Sequence, residues 1–175
     1  SSIDKILKEN GQQPMPLPWI MSILQQLCSI LEEAHRYVDE TTGRSKPIVH
    51  RDLKPSNLML VDGKLDGQNL KVLDFGIAKM VDDKGADDER TLELTGDAVF
   101  LGTAGYSSPE QIRGDKEIDG RTDLYATGVM LYQFLTGQLP FRGTRFSILA
   151  AHMVKPPPPM VEANPEARIS PALEE

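Results

Sequence analysis

Apolar side chains at Ile20, Ile23, Leu24, Leu27, Ile30, Leu31, Ala34 and Val38 recur every three or four positions. That spacing predicts an amphipathic helix from about 18 to 38, one face buried and the other wet. A shorter helix is expected over 1–9, with Ser1 or Ser2 as its cap and Asn10-Gly11 as its end. Pro14, Pro16 and Pro18 make a stiff link between the two, and "DETTGRSKP" at 39–47 reads as a polar loop. Two apolar runs, 58–61 and 70–73, flank the turn-rich "DGKLDGQN" and predict a β-hairpin. Positions 79–97 are polar and acidic, and a mobile loop is expected there. Ser108 followed by Pro109 announces another helix start. The stretch from Thr122 to Leu135 is apolar nearly all round, so a helix at the centre of the domain is expected, stopped by Gly137. A further helix over about 144–153 precedes "KPPPPM", which is extended and serves as a connector, or alternatively as a ligand for a polyproline-binding partner.

Length and composition narrow the class. The 175 residues suffice for one domain, and 39% apolar with 26% charged residues is ordinary for a globular protein. The net charge of −7 argues against general nucleic-acid binding. Cys28 is the sole cysteine, so no internal disulfide forms and a reducing, cytoplasmic compartment is expected. At a helical position it reads as a small buried hydrophobe. No apolar run approaches the roughly 20 residues of a membrane span.

The chemistry concentrates in "IVHRDLKPSNLML" at 48–60 and "VLDFG" at 72–76. In a hairpin the residues flanking the open end lie side by side, here Asn57 and Asp74. An amide oxygen beside a carboxylate suits a hard divalent cation such as Mg²⁺. Asp52 shares the loop and is placed to accept a proton, with Lys54 supplying a positive charge between them. The bland alternative for any one of these residues is a surface charge around a tight turn.

As an ordered set, "HRDLKPSN" followed by "DFG" resembles the catalytic loop and metal-binding motif of the eukaryotic-type protein kinases. "GTAGYSSPE" at 102–110 resembles the end of their activation segment, with Ser for the commoner Ala before Pro109, and "DLYATGVMLYQFLTGQLPF" the central helix of their C-terminal lobe. The wording "SPEQIRG" and "LTGQLPFRG" looks most like bacterial serine/threonine kinases. The resemblance implies an α+β, mainly α-helical fold over 1–175: a kinase C-terminal lobe with a small hairpin at the catalytic loop. It implies Asp52 as catalytic base, Asn57 and Asp74 as holders of Mg²⁺ against ATP, Lys54 on the transferring phosphoryl group, and Thr103 bonded to the Asp52–Lys54 pair. It also implies Met59 as the floor under adenine. His50 stacks on Phe75 rather than doing acid–base work, His35 and His152 are packing or surface groups, and Asp123 accepts hydrogen bonds from the catalytic-loop backbone. Lys54, two residues after Asp52, together with Gly102-Thr103, points to Ser/Thr acceptors on protein substrates.

The resemblance begins after the hinge. No "GxGxxG" and no "GxxxxGK[ST]" occurs. The N-terminal lobe and the last helices of the large lobe are therefore expected to be missing, and this stretch alone to transfer little phosphate. A membrane tether outside this stretch is compatible with it. Two other functions share these features: a kinase-like scaffold without activity, which would have no need of metal ligands, and a small-molecule phosphotransferase of the aminoglycoside type, which lacks the "GTxxYxSPE" segment. Arg51, directly before Asp52, calls for an anion. The segment from Asp82 to Asp97 carries seven acidic residues against Lys84 and Arg90. Phosphorylation of Thr95, or of Thr91 as second candidate, is expected to supply a stronger partner for Arg51; the rival is that Glu93 or Asp97 already does.

Overall fold

A computed structural model describes residues 1–11, 13–61, 69–75, 103–167 and 169–170. The predicted loop at 79–97 and the candidates Thr91 and Thr95 lie outside them. The described fold is mainly helical with one two-stranded antiparallel sheet.

Helix α1 (Ile3–Glu9) is capped by Ser2, whose hydroxyl accepts from the Lys5 amide, and buries Ile3 and Leu7. Helix α2 (Leu17–His35) starts on Pro18 in its first turn and buries Ile20, Ile23, Leu27 and Leu31. Four such side chains at about 1.5–3 kcal/mol each outweigh any preference set by the exposed face. Two expectations fail here. Cys28 is exposed, because the buried stripe runs through 20, 23, 27 and 31 and position 28 turns away from it. The helix also ends three residues before Val38, which is 48% exposed. Asp39 is the reason. Its Oδ1 accepts from the Thr41 hydroxyl (2.6 Å) and from the Thr41 and Thr42 amides (both 3.0 Å), a turn that competes with helix. Those bonds, the Thr41 hydroxyl first, hold its carboxyl down to about 2.

Strands β1 (Leu58–Leu60) and β2 (Leu70–Val72) pair with Leu58 opposite Val72 and Leu60 opposite Leu70. Each is one residue shorter than predicted. Leu58, Leu60 and Leu70 join α1, α2 and Phe134 in the core, and Ser2 bridges to Met59 from the outer side of β1.

Helix α3 (Pro109–Arg113) opens on a capping box. Ser108 accepts from the Gln111 amide while the Gln111 side chain accepts from the Ser108 amide. Helix α4 (Arg121–Thr136) packs on α2 and stops at Gly137, whose φ of 77° only glycine adopts without strain. It is buried on most sides, but Arg121, Leu124 (54%) and Gly128 form an exposed stripe, so the expected all-round burial fails along that side.

Helix α5 (Arg145–Val154) is capped by Thr144 and followed by exposed Pro156–Pro159, the short α6 (Met160–Ala163) and a 3₁₀ turn, Pro165–Ala167. His152 of α5 is buried, not a surface group. Its ring stands edge-on to Phe141 (4.9 Å, 84°), and the Tyr125 hydroxyl meets its Nδ1 at 2.7 Å. Burial lowers its pKa below the usual 6.5, partly offset by the Gly105 backbone. The unfolded chain therefore takes up this proton first. The stability His152 contributes is complete above pH 6.5 and drains away as pH falls toward the lower folded value. Urea midpoints at about pH 7.5 and about pH 5.5 are expected to drop more in the native protein than in His152→Phe, and equal drops would refute this.

Candidate functional site

The loop between α2 and β1 is shaped by one buried carboxylate. Asp123, 1% exposed near the start of α4, accepts from the Arg51 amide through Oδ1 (2.9 Å) and from the His50 amide through Oδ2 (2.9 Å). Oδ2 also meets His35 Nε2 at 2.8 Å. A buried carboxylate needs such partners to be tolerated. The two backbone bonds hold Arg51 at a φ of 63°, a conformation an arginine rarely adopts. Gln111 closes the far side, donating from Nε2 to the Arg51 carbonyl at 2.6 Å.

His50 is wholly buried against Phe75, the ring centroids 4.9 Å apart. Its Nδ1 accepts from the Asp52 amide (3.2 Å) and its Nε2 reaches the Leu73 carbonyl (2.8 Å). Those partners, an N–H donor and a carbonyl acceptor, require the neutral ring with the proton on Nε2. Both nitrogens are thereby committed to the backbone.

Downstream of that turn the polar side chains converge. Lys54 Nζ donates to Asp52 Oδ2 and to Thr103 Oγ1, both at 3.0 Å. Asn57 donates from Nδ2 to the Asp52 carbonyl (2.9 Å). That bond commits the amide nitrogen to the loop and leaves Oδ1 as a hard oxygen acceptor. Sequence spacing placed Asp74 directly beside Asn57. The observed register instead sets Leu73 opposite Asn57, with the Leu73 amide donating to the Asn57 carbonyl at 2.8 Å. Asp74 follows at a φ of 53°, where the chain leaves the ladder, and is exposed. Arg51 and Asp74 are the described non-glycine residues with positive φ, and both belong to this site.

No cluster of three or more His, Cys, Asp or Glu side chains is gathered among the described residues. A cation bound here would take an amide oxygen and a carboxylate from the protein and the remainder from phosphate and water, which is the habit of Mg²⁺. Met59, on β1, is half-buried and lies opposite Lys71.

Thr103 is carried by a segment fastened to α4. The Tyr106 hydroxyl donates to Gln133 Oε1 at 2.6 Å, and burial raises its pKa well above 10, so it remains a donor. Ser108, wholly buried, shares a hydrogen bond with Thr122, whose hydroxyl meets Glu110 Oε1 at 2.8 Å. Burial raises the Glu110 pKa, but hydrogen bonds from its own amide, Thr122 and Ser108 turn the net shift downward.

Asp52, Lys54, Asn57 and Thr103 are thus brought within one hydrogen-bonded group, and Asp123 beneath it. His35 was missed. In "EEAHR" it looks like one more polar residue at a helix end, and only the tertiary fold brings it to Asp123, 88 positions on. Its ring also fills the space beside Gly120, where an added Cβ would lie 2.5 Å from His35 Nδ1. Gln111 looked like part of a helix start and also braces Arg51.

The chain is 42% identical over 156 residues to serine/threonine-protein kinase pkn3 of Myxococcus xanthus, covering 89% of this chain and 26% of that protein. It is 41% identical over 162 residues to serine/threonine-protein kinase Pkn1 of the same organism, covering 92% and 21%. Against serine/threonine-protein kinase A of Synechocystis the identity is 42% over 128 residues, covering 73% and 23%. The chain spans about a quarter or less of the length of these curated relatives. The family model of the protein kinase domain matches residues 4–171, and the chain belongs to that family.

Proposed function

We propose that the protein is a serine/threonine protein kinase, and that this chain is the C-terminal lobe, which carries the base and the metal ligands. The single observation behind this reading is the bonding of Lys54 to both Asp52 and Thr103, with the Asn57 amide nitrogen turned into the loop. Asp52 is the base. Its carboxylate takes the proton of an acceptor hydroxyl as that oxygen bonds to the γ-phosphorus of ATP and the bond to the bridging oxygen of ADP breaks. Lys54 keeps Asp52 oriented and offers its ammonium to the transferring group. Thr103 holds Lys54 in place. Asn57 Oδ1 and the Asp74 carboxylate hold Mg²⁺, which supplies charge neutralisation on the phosphates. Met59 lies under the adenine, and an N-terminal lobe supplies the other half of the nucleotide cage. Arg51 receives the phosphate of a modified Thr95 or Thr91. Protein substrates bind from the Thr103 side.

The test is phosphotransfer by the full-length protein from ATP and Mg²⁺ to Ser, Thr and Tyr peptides. Transfer to Ser or Thr is expected. Asp74→Asn is expected to raise the Mg²⁺ concentration needed for half-maximal rate, with partial recovery at high metal. Transfer only to tyrosine, or only to a small aminocyclitol, would reject the assignment, as would an unchanged metal requirement in Asp74→Asn.

A further inference from the structure

The hairpin that carries Asp74 is short, and its apolar pattern alone leaves its register open. β1 and β2 have three residues each. Burial of Leu58, Leu60 and Leu70 decides which faces turn inward, and so excludes a slip by one residue. A slip by two keeps the same faces inward, yet carries Asp74 about 6.6 Å along the ladder, at about 3.3 Å per residue. Mg²⁺ asks for oxygens at about 2.1 Å in near-octahedral order, so a slip of that size removes the ligand. A reference point outside the strands takes that freedom away.

Gln26, half-buried on α2, supplies one. Its Oε1 accepts from the Asn69 and Leu70 amides, both at 2.9 Å. Its Nε2 donates to the Ser22 carbonyl (3.3 Å) and hydroxyl (3.1 Å) one turn earlier, which turns the oxygen end of the amide toward β2. The other strand is held separately, by Ser1: its nitrogen donates to the Leu60 carbonyl and its carbonyl accepts from the Leu60 amide, both at 2.9 Å. The Leu60 amide therefore points away from β2. In an antiparallel pair the amide of Leu70 opposite it then points away from β1, and Gln26 is the acceptor it meets. From Leu70 the ladder runs through Lys71 and Val72 to Leu73, whose amide donates to the Asn57 carbonyl (2.8 Å), and Asp74 leaves it at the next residue. The helix beneath is a firm base, because Ile20, Ile23, Leu27 and Leu31 of α2 are buried in the core.

We infer that Gln26 is a positioning residue for the cation site: its side-chain oxygen fixes β2 against α2, and through the ladder fixes where Asp74 leaves the strand relative to Asn57. The inference rests on the kinase reading and adds to it a residue that touches neither nucleotide nor metal.

The experiment uses full-length protein with Gln26→Met and Gln26→Glu. Methionine keeps the length and helix preference of glutamine and removes the acceptor, whereas glutamate keeps an acceptor for both amides. Two readouts need no turnover: amide hydrogen exchange without metal or nucleotide, and the Mn²⁺ concentration that half-saturates the protein in the presence of ADP, read from the paramagnetic resonance of free Mn²⁺. In Gln26→Met the Asn69 and Leu70 amides, and with them Leu73, are expected to exchange about tenfold faster, as for the loss of one hydrogen bond, and the Mn²⁺ requirement to rise by a similar factor. Gln26→Glu is expected to keep both near the native values. In phosphotransfer assays of Gln26→Met, the Mg²⁺ concentration for half-maximal rate should rise more than kcat falls. Faster exchange confined to Asn69 and Leu70, with Leu73 and the Mn²⁺ requirement unchanged, overturns the inference, since Gln26 would then only satisfy two amides at a strand start. Equal losses in the Met and Glu variants overturn it too, because the acceptor would not be the cause. A native protein that neither binds Mn²⁺ with ADP nor transfers phosphate rejects the kinase reading and the inference with it; a native protein that does both, with an unchanged metal requirement in Gln26→Met, rejects the inference alone.

Discussion

Asp52→Asn in the full-length protein is expected to lower kcat by about 10²–10⁴, the range lost with a positioned general base. The substitution isolates basicity. The Asn oxygen can still accept from Lys54 as Asp52 Oδ2 does at 3.0 Å and from Asn57 Nδ2 as it does at 3.4 Å, and the shorter Asn57 bond goes to the backbone carbonyl of residue 52, which is unaltered. The carboxylate is 31% exposed and its lysine partner 21%, so no deeply buried charge is left behind. An ion pair of that exposure contributes about 0–1 kcal/mol, and the urea midpoint should barely move. The KM for ATP should hold as well, because Asn57 and Asp74 keep their places. The informative pattern is therefore a collapse in kcat alone. Turnover within a few-fold of the native protein would remove Asp52 from the role of base, and a large fall in stability would show that its role is structural.

Much of this arrangement is visible in the chain before folding, and the reasons for the exceptions are physical. The α2 stripe and the hairpin are visible because burial on one face imposes a period. The polar loop is visible because so many charged groups between apolar runs need a chemical reason. The register at Asn57 was off by one residue, since strand ends depend on where Asp74 leaves the ladder and not on the apolar run. Cys28 was misplaced because a helical pattern alone does not say how wide the buried stripe is. The left-handed backbone of Arg51 had no local signal at all. Arginine does not favour that conformation, and the bonds that enforce it come from Asp123, 72 positions away, and from Gln111, 60 away. His35 was illegible for the same reason.

Asp123 is the residue on which those distant bonds meet, and its isosteric replacement should be costly. Both carboxylate oxygens are acceptors: Oδ1 faces the Arg51 amide, Oδ2 faces the His50 amide and His35 Nε2. An asparagine has one acceptor. Whichever way its amide turns, an NH₂ group is set against a backbone N–H that cannot rotate away. If it faces His50, that amide is buried with no acceptor, at about 1–3 kcal/mol; His35 can at best adapt by presenting a bare nitrogen. If it faces Arg51, the bond that holds the left-handed turn is lost. Asp123→Asn is therefore expected to cost about 1–3 kcal/mol of stability, and Asp123→Ala more, as both amides and His35 then lose their partner. The activity loss should exceed the stability loss. Arg51 directly precedes Asp52, and relaxing its backbone moves the base, where a shift of about 1 Å can cost about 100-fold. Urea unfolding and kcat measured on folded Asp123→Asn protein test the two parts. A midpoint unchanged from the native protein would mean that the backbone amides find other acceptors. Full kcat in folded Asp123→Asn would mean that the turn at Arg51 holds itself, and that Asp123 does not position Asp52.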